Sequence, residues 1–131
     1  MSAPARAASE ASGAPPAPGA EGFAAPATAP NDALVLATAR LLAVAAHPVR
    51  LRVLLALDRH GPQSAGALQA LAGVEQSAMS HQLHRLRAAR LVVAERAGRH
   101  VIYRLHDHHV AHIVRDALSH VAELGEPGDG A

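Results

Sequence analysis

Apolar positions take no helical or strand period over residues 1–30 and then fall abruptly into a helical one. Asp32 can cap a helix, and Leu34, Leu41, Leu42 and Val44 follow at spacings that suit helical packing. Pro48, tolerated in a first turn, opens a second helix whose Val49, Leu51, Val53, Leu54 and Leu57 lead to a stop at Gly61 and Pro62. Ser64 offers an N-cap to a short helix carrying Leu68 and Leu71. Gly73 ends it, and Val74 follows as a turn residue. A fourth helix, from about Glu75 to Arg90, sets Met79, Leu83 and Leu86 at i, i+4 and i+7 on one face, with Ser77, Ser80, His81 and His84 opposite. Two runs rich in β-branched residues, Leu91 to Glu95 and His100 to Leu105, flank Ala97 and Gly98 and predict a hairpin. Asp107 caps a last helix running to about Leu124, with Gly125 and Pro127 beyond it.

Composition adds boundaries. Residues 1–30 are dominated by Ala, Pro, Gly, Ser and Thr with Phe23 as their one aromatic, too little apolar area to offset the entropy of ordering. The expected organisation is a disordered tail at 1–30, one domain at 31–124 and a flexible C-terminal tail at 125–131. The formal charge of +1 hides an asymmetry. Residues 32–124 hold eleven arginines against seven acids, a basic excess suited to phosphate. No cysteine is present, so any metal must be held by nitrogen and oxygen. The longest apolar stretch, Ala33 to Ala46, is interrupted by Thr38 and Arg40 and falls short of the ~20 residues that span a bilayer. No membrane association and a cytoplasmic location are expected.

Two short helices joined by a Gly-containing turn and followed by a hairpin give the order of a winged helix-turn-helix, a mainly α fold with a small β-hairpin. The second of those helices would enter the major groove of double-stranded operator DNA. Gln76, Ser77, Ser80 and His81 present short hydrogen-bonding groups to base edges, while Arg85 and Arg87 reach phosphate or guanine. Arg96 and Arg99, around Gly98, would lie along the backbone or minor groove as a wing.

The stretches His47-Pro48-Val49-Arg50-Leu51-Arg52, Gln76-Ser77-Ala78-Met79-Ser80-His81-Gln82-Leu83, Gly98-Arg99-His100-Val101-Ile102-Tyr103 and Asp107-His108-His109-Val110 resemble the ArsR/SmtB family of bacterial metalloregulators over about residues 35–124. The resemblance implies a homodimer that represses its own operon and leaves DNA when metal binds. Gln76, Ser77, Ser80 and His81 match the family's base-reading positions.

The last helix holds Asp107, His109, His120 and Glu123. At 100° per residue, His109 and His120 lie about 20° apart around the axis, but at 1.5 Å per residue they are about 16 Å apart along it. One helix cannot close a site on an ion whose bonds are about 2 Å long. An antiparallel pair across a twofold axis would set Asp107 and His109 of one chain beside His120 and Glu123 of the other, so a metal site implies a homodimer. Val110, Val114, Ala117, Leu118 and Val121 form a neighbouring stripe to bury against partner and core. Two imidazoles and two carboxylates suit Zn2+, and also Co2+. By resemblance, the spacing Asp-x-His, ten residues, His-x-x-Glu matches the zinc-sensing SmtB-like branch. The same branch implies that His120 donates from its second ring nitrogen to the backbone near Arg90. His112, one turn after His109, with His106 and His108 nearby, keeps Ni2+ or Co2+ sensing open as an alternative.

The expected function is a metal-responsive transcriptional repressor, not an enzyme. A hydrolytic site needs an open metal position and a general base in a cleft, and four protein ligands would leave zinc closed. A metal-independent winged-helix regulator with incidental histidines is the other alternative.

Overall fold

The computed structural model describes residues 29–125. The tails expected at 1–30 and 125–131 therefore lie outside the described residues except for residues 29, 30 and 125. The elements run α1 (Asp32–Ala45), α2 (Pro48–His60), β1 (Gln63–Ser64), α3 (Ala65–Ala72), α4 (Gln76–Ala88), β2 (Val92–Ala97), β3 (His100–Leu105) and α5 (His108–Glu123).

Local chemistry sets most of these boundaries. His47 caps α2, its ring Nδ1 accepting from the Val49 N–H at 3.1 Å, with Pro48 in the first turn. Ser64 caps α3 by accepting from Ala67 N–H at 3.1 Å, and Gly73 closes it in the left-handed region at φ 70°. Asp32 is the first residue of α1 rather than its cap, where its charge still favours the helix N-terminus. The expected fourth helix is one residue shorter at its start and two at its end. Glu75 is the extended residue before α4 and Ala89 follows it.

The end of α4 is a Schellman motif built without glycine. Arg90 sits at φ 61°, its N–H donates to Arg87 O and the Leu91 N–H donates to Leu86 O, both at 2.9 Å. Leu86 and Leu91 are both buried, supplying the apolar contact that accompanies this cap.

The hairpin pairs Val92 with Leu105 through to Ala97 with His100, leaving Gly98 and Arg99 as a two-residue loop. Gly98 takes positive φ and Arg99 does not, the division a II′ connection requires. β1, which no sequence pattern marks, adds a third antiparallel strand in the order β1-β3-β2 by pairing Gln63 with Tyr103 and Ser64 with Ile102. It fastens the start of the helix-turn-helix to the wing.

One core lies beneath α2 to α5: Val53, Leu54 and Leu57 from α2, Leu68 from α3, Met79, Leu83 and Leu86 from α4, and Val110 and Val114 from α5. The α5 stripe divides. Val110, Ala111 and Val114 are buried within the chain, whereas Ile113, Leu118 and Val121 are 43–53% exposed. In α1, Leu41 and Val44 pack on the core, but Leu34, Val35, Leu36 and Leu42 are about half exposed. No single described helix is long and apolar enough to cross a membrane.

Candidate nucleic-acid interface and metal-binding helix

Burying Met79, Leu83 and Leu86 turns the opposite face of α4 outward, so Gln76, Ser77, Ser80, His81 and Arg85 are all exposed. Ser77 Oγ lies 3.4 Å from Glu75 Oε1, a weak bond that leaves the hydroxyl open to exchange. Gln76, Ser80, His81 and Arg85 make no side-chain hydrogen bond or ion pair among the described residues. Arg85 and Arg87 fall in the last turn, where cations favour the helix C-terminus.

On the wing, Arg96 and Arg99 are exposed and unpaired among the described residues. Arg104 is engaged instead, donating to Glu95 Oε2 at 3.0 Å across the hairpin. That bond and the charge of Arg104 hold the Glu95 carboxyl below its usual range. The wing thus presents two unpaired cations at its tip and one neutralised pair at its base.

One buried charged residue has no counterpart among the residues that the sequence singles out. Arg50 is buried at 7% exposure, its Nε donating to Val44 O and its Nη1 to Gln82 Oε1. Nothing in residue type marks it, since arginines are almost always exposed, and only its place in the His47–Arg52 stretch set it apart.

Asp107 is the N-cap of α5. Its Oδ1 accepts from the N–H groups of His109 at 3.0 Å and Val110 at 3.2 Å, and its Oδ2 lies 3.1 Å from His106 Nδ1. Partial burial pulls the Asp107 carboxyl upward, but the His106 bond and these two N–H bonds outweigh it and leave it below its usual range. His109 Nδ1 lies 3.6 Å from the same Oδ1, so Asp107 and His109 stand side by side at the start of α5. His120 and Glu123 are exposed near the far end of the helix and make no side-chain bond among the described residues. The bond from His120 to the backbone near Arg90 is accordingly not formed within the chain.

Among the described residues, no group of three or more His, Asp or Glu side chains converges within one chain. Helical rise separates Asp107 and His109 from His120 and Glu123 along α5. The described residues fit a nitrogen and oxygen donor set in two halves, each incomplete. The extra histidines gather at the first half: the His108 and His109 rings are 4.2 Å apart and those of His108 and His112 are 5.8 Å apart, edge to face.

Known proteins with similar sequences and structures bear on both sites. Residues 45–95 match a helix-turn-helix domain family. The chain is 44% identical over 98 residues to the HTH-type transcriptional regulator NmtR of Mycobacterium tuberculosis, covering 74% of this chain and 81% of that protein. It is equally 44% identical to the HTH-type transcriptional repressor SmtB of the same species, covering 75% of this chain and 71% of that protein. Among solved structures, the AntR antimony-specific transcriptional repressor superposes with a TM-score of 0.67 at 28% identity, covering 86% of this chain and 97% of that one. A homodimeric winged helix-turn-helix DNA-binding domain from Mycobacterium bovis gives 0.61 at 28% identity, over 73% of this chain and 89% of that one.

Proposed function

Since the chain belongs to the ArsR/SmtB family of helix-turn-helix transcriptional regulators, we propose that it is a cytoplasmic homodimeric repressor released from operator DNA by zinc. The observation that carries this reading is the division of α5. In its N-terminal half Val110, Ala111 and Val114 are buried in the chain's own core, while Leu118 and Val121 are exposed beside His120 and Glu123, which make no side-chain bond among the described residues. A second copy docking there would cover the apolar residues and complete the donor set in one step.

In that dimer Asp107 and His109 of one protomer and His120 and Glu123 of its partner would hold the ion. When bound, zinc supplies a positive crosslink that neutralises two carboxylates. Asp107 Oδ2 is turned to His106, so His106 would orient the carboxylate that helps hold the ion. Gln76, Ser77, Ser80 and His81 would read base edges, with Arg85 and Arg99 on the backbone.

A link between the two sites exists inside the chain. The His106 N–H donates to Leu91 O at 3.0 Å, joining the residue before Asp107 to the residue that closes α4. Nickel or cobalt is a second reading, favoured by the gathering of His108, His109 and His112. A gel shift on DNA selected from a random pool tests the proposal: zinc should abolish a sequence-specific complex that chelator preserves. A complex indifferent to both would mark a metal-independent regulator. Tighter release by nickel or cobalt, lost in His112→Ala, would establish the second reading.

A further inference from the structure

Arg50 projects from α2 and is held between two other helices. Its Nε donates to the carbonyl of Val44, in the last turn of α1, and its Nη1 donates to Gln82 Oε1, in the middle of α4, at 2.6 Å. A helix leaves its last four carbonyls without intrahelical partners. Here the Ala46 N–H serves Leu42 and Ala43, and the His47 N–H serves Ala45, so Val44 depends on Arg50. Gln82 must turn its oxygen to Arg50, because a guanidinium only donates.

Both partners are neutral, so no carboxylate compensates this buried charge. Burial first, and then the positive charge of Arg85, lower the Arg50 pKa, although an arginine remains protonated. What offsets the cost is the negative end of the α1 dipole, at which the guanidinium lies. A leucine would fill the space without that cost but would tie neither helix. From these contacts we infer that Arg50 is a positioning residue for DNA reading, fixing the angle of α4 against the end of α1.

Gln82 lies between the DNA-facing Ser80 and His81 on one side and Arg85 on the other, so a rotation of α4 that moves those side chains must break the Arg50 bond. The inference rests on the proposed base reading by α4.

The test measures fluorescence anisotropy with the full chain on two duplexes of equal length, one selected on wild-type protein from a random pool and one unselected. Gln82→Met removes the acceptor at nearly constant volume. Affinity for the selected duplex should fall about tenfold, the equivalent of ~1.4 kcal/mol and about one charge-assisted hydrogen bond, with no change on the unselected duplex. Gln82→Glu, which keeps an oxygen acceptor, should restore it. Arg50→Met combined with Gln82→Met should lose no more than either alone. Should Arg50→Met fail to fold, the two Gln82 variants decide the matter.

No change in Gln82→Met, equal losses on both duplexes, no rescue by Gln82→Glu, or full additivity in the pair would each overturn the role of Arg50. Ser80→Ala in the same assay separates this from the reading beneath it. Unchanged binding there would overturn base reading by α4 itself, whereas a loss there without one in Gln82→Met would overturn only the clamp.

Discussion

Arg115 and Asp58 form a bidentate ion pair that fastens α5 to α2, with Nη2 to Oδ1 at 2.7 Å and Nε to Oδ2 at 3.1 Å. The hydrogen bonds from Arg115 lower the Asp58 pKa, its partial desolvation works against them, and the charges of Arg115 and His112 add to the lowering. A carboxyl depressed in the folded state contributes stability that is full above its unfolded value, about 3.9, and is lost as pH falls through the folded value. Denaturant unfolding followed from pH 6 downward should therefore show a steeper acid loss in wild type than in Asp58→Asn. Parallel curves would mean that the pair contributes nothing to the docking of α5.

Arg90 holds a left-handed conformation that costs a non-glycine residue roughly 1 kcal/mol. Arg90→Gly should remove that strain and raise the midpoint of thermal unfolding, corresponding to a gain of up to about 1 kcal/mol, provided the Leu86 to Leu91 closure persists. A lower midpoint would show that the arginine side chain stabilises the fold by more than its backbone costs.

Ser80→Ala should weaken binding to selected DNA by about 1 to 3 kcal/mol, the usual worth of a base contact, while leaving zinc affinity unchanged. Arg99→Ala should weaken selected and random DNA alike and flatten the salt dependence, as expected of a lost phosphate contact. An unchanged salt slope would remove Arg99 from the interface.

Leu118 is 53% exposed in the chain, on the half of α5 that the proposed dimer covers. Leu118→Glu should convert the dimer to a monomer in sedimentation and, because each half of the donor set is incomplete, abolish zinc binding although no ligand has been changed. Retained zinc affinity in a monomeric variant would place the ion within one chain and overturn the shared site.

The elements that were legible in the sequence are those whose signals are local. Ser64, Gly73 and Asp107 mark helix ends through bonds within a few residues, Pro48 does so through its fixed backbone angle, and the i, i+4, i+7 face of Met79, Leu83 and Leu86 is buried as that spacing requires. What escaped depends on distant partners. Gln63 and Ser64 become a strand only because Tyr103 and Ile102, far along the chain, offer an edge. Arg50 is buried only because Val44 and Gln82 converge on it. Arg90 imitates a glycine because Leu86 and Leu91 close over the core, which no residue-type preference anticipates. For α5 the sequence was informative for the opposite reason: the separation of Asp107 and His109 from His120 and Glu123 follows from helical rise alone.

In the proposed repressor, occupancy of α5 must be passed on to α4. His120 makes no side-chain bond among the described residues, so its second ring nitrogen is available to donate to the backbone near Arg90, as the family resemblance implies. A competing route lies within the chain, from Asp107 through His106 to Leu91 O. The two routes predict different outcomes for a protein in which the non-ligating nitrogen of His120 is methylated. The His120 tether requires that this protein bind zinc yet stay on DNA, whereas the His106 route leaves release intact. His120→Ala does not discriminate, because it removes a ligand and abolishes release on either route. Whichever holds, linkage requires DNA to weaken zinc binding by the same factor as zinc weakens DNA binding, with a coupling of about 1 to 3 kcal/mol. Normal release by the methylated protein, at neutral pH and with wild-type zinc affinity, would exclude the tether and assign the coupling to His106 and Leu91.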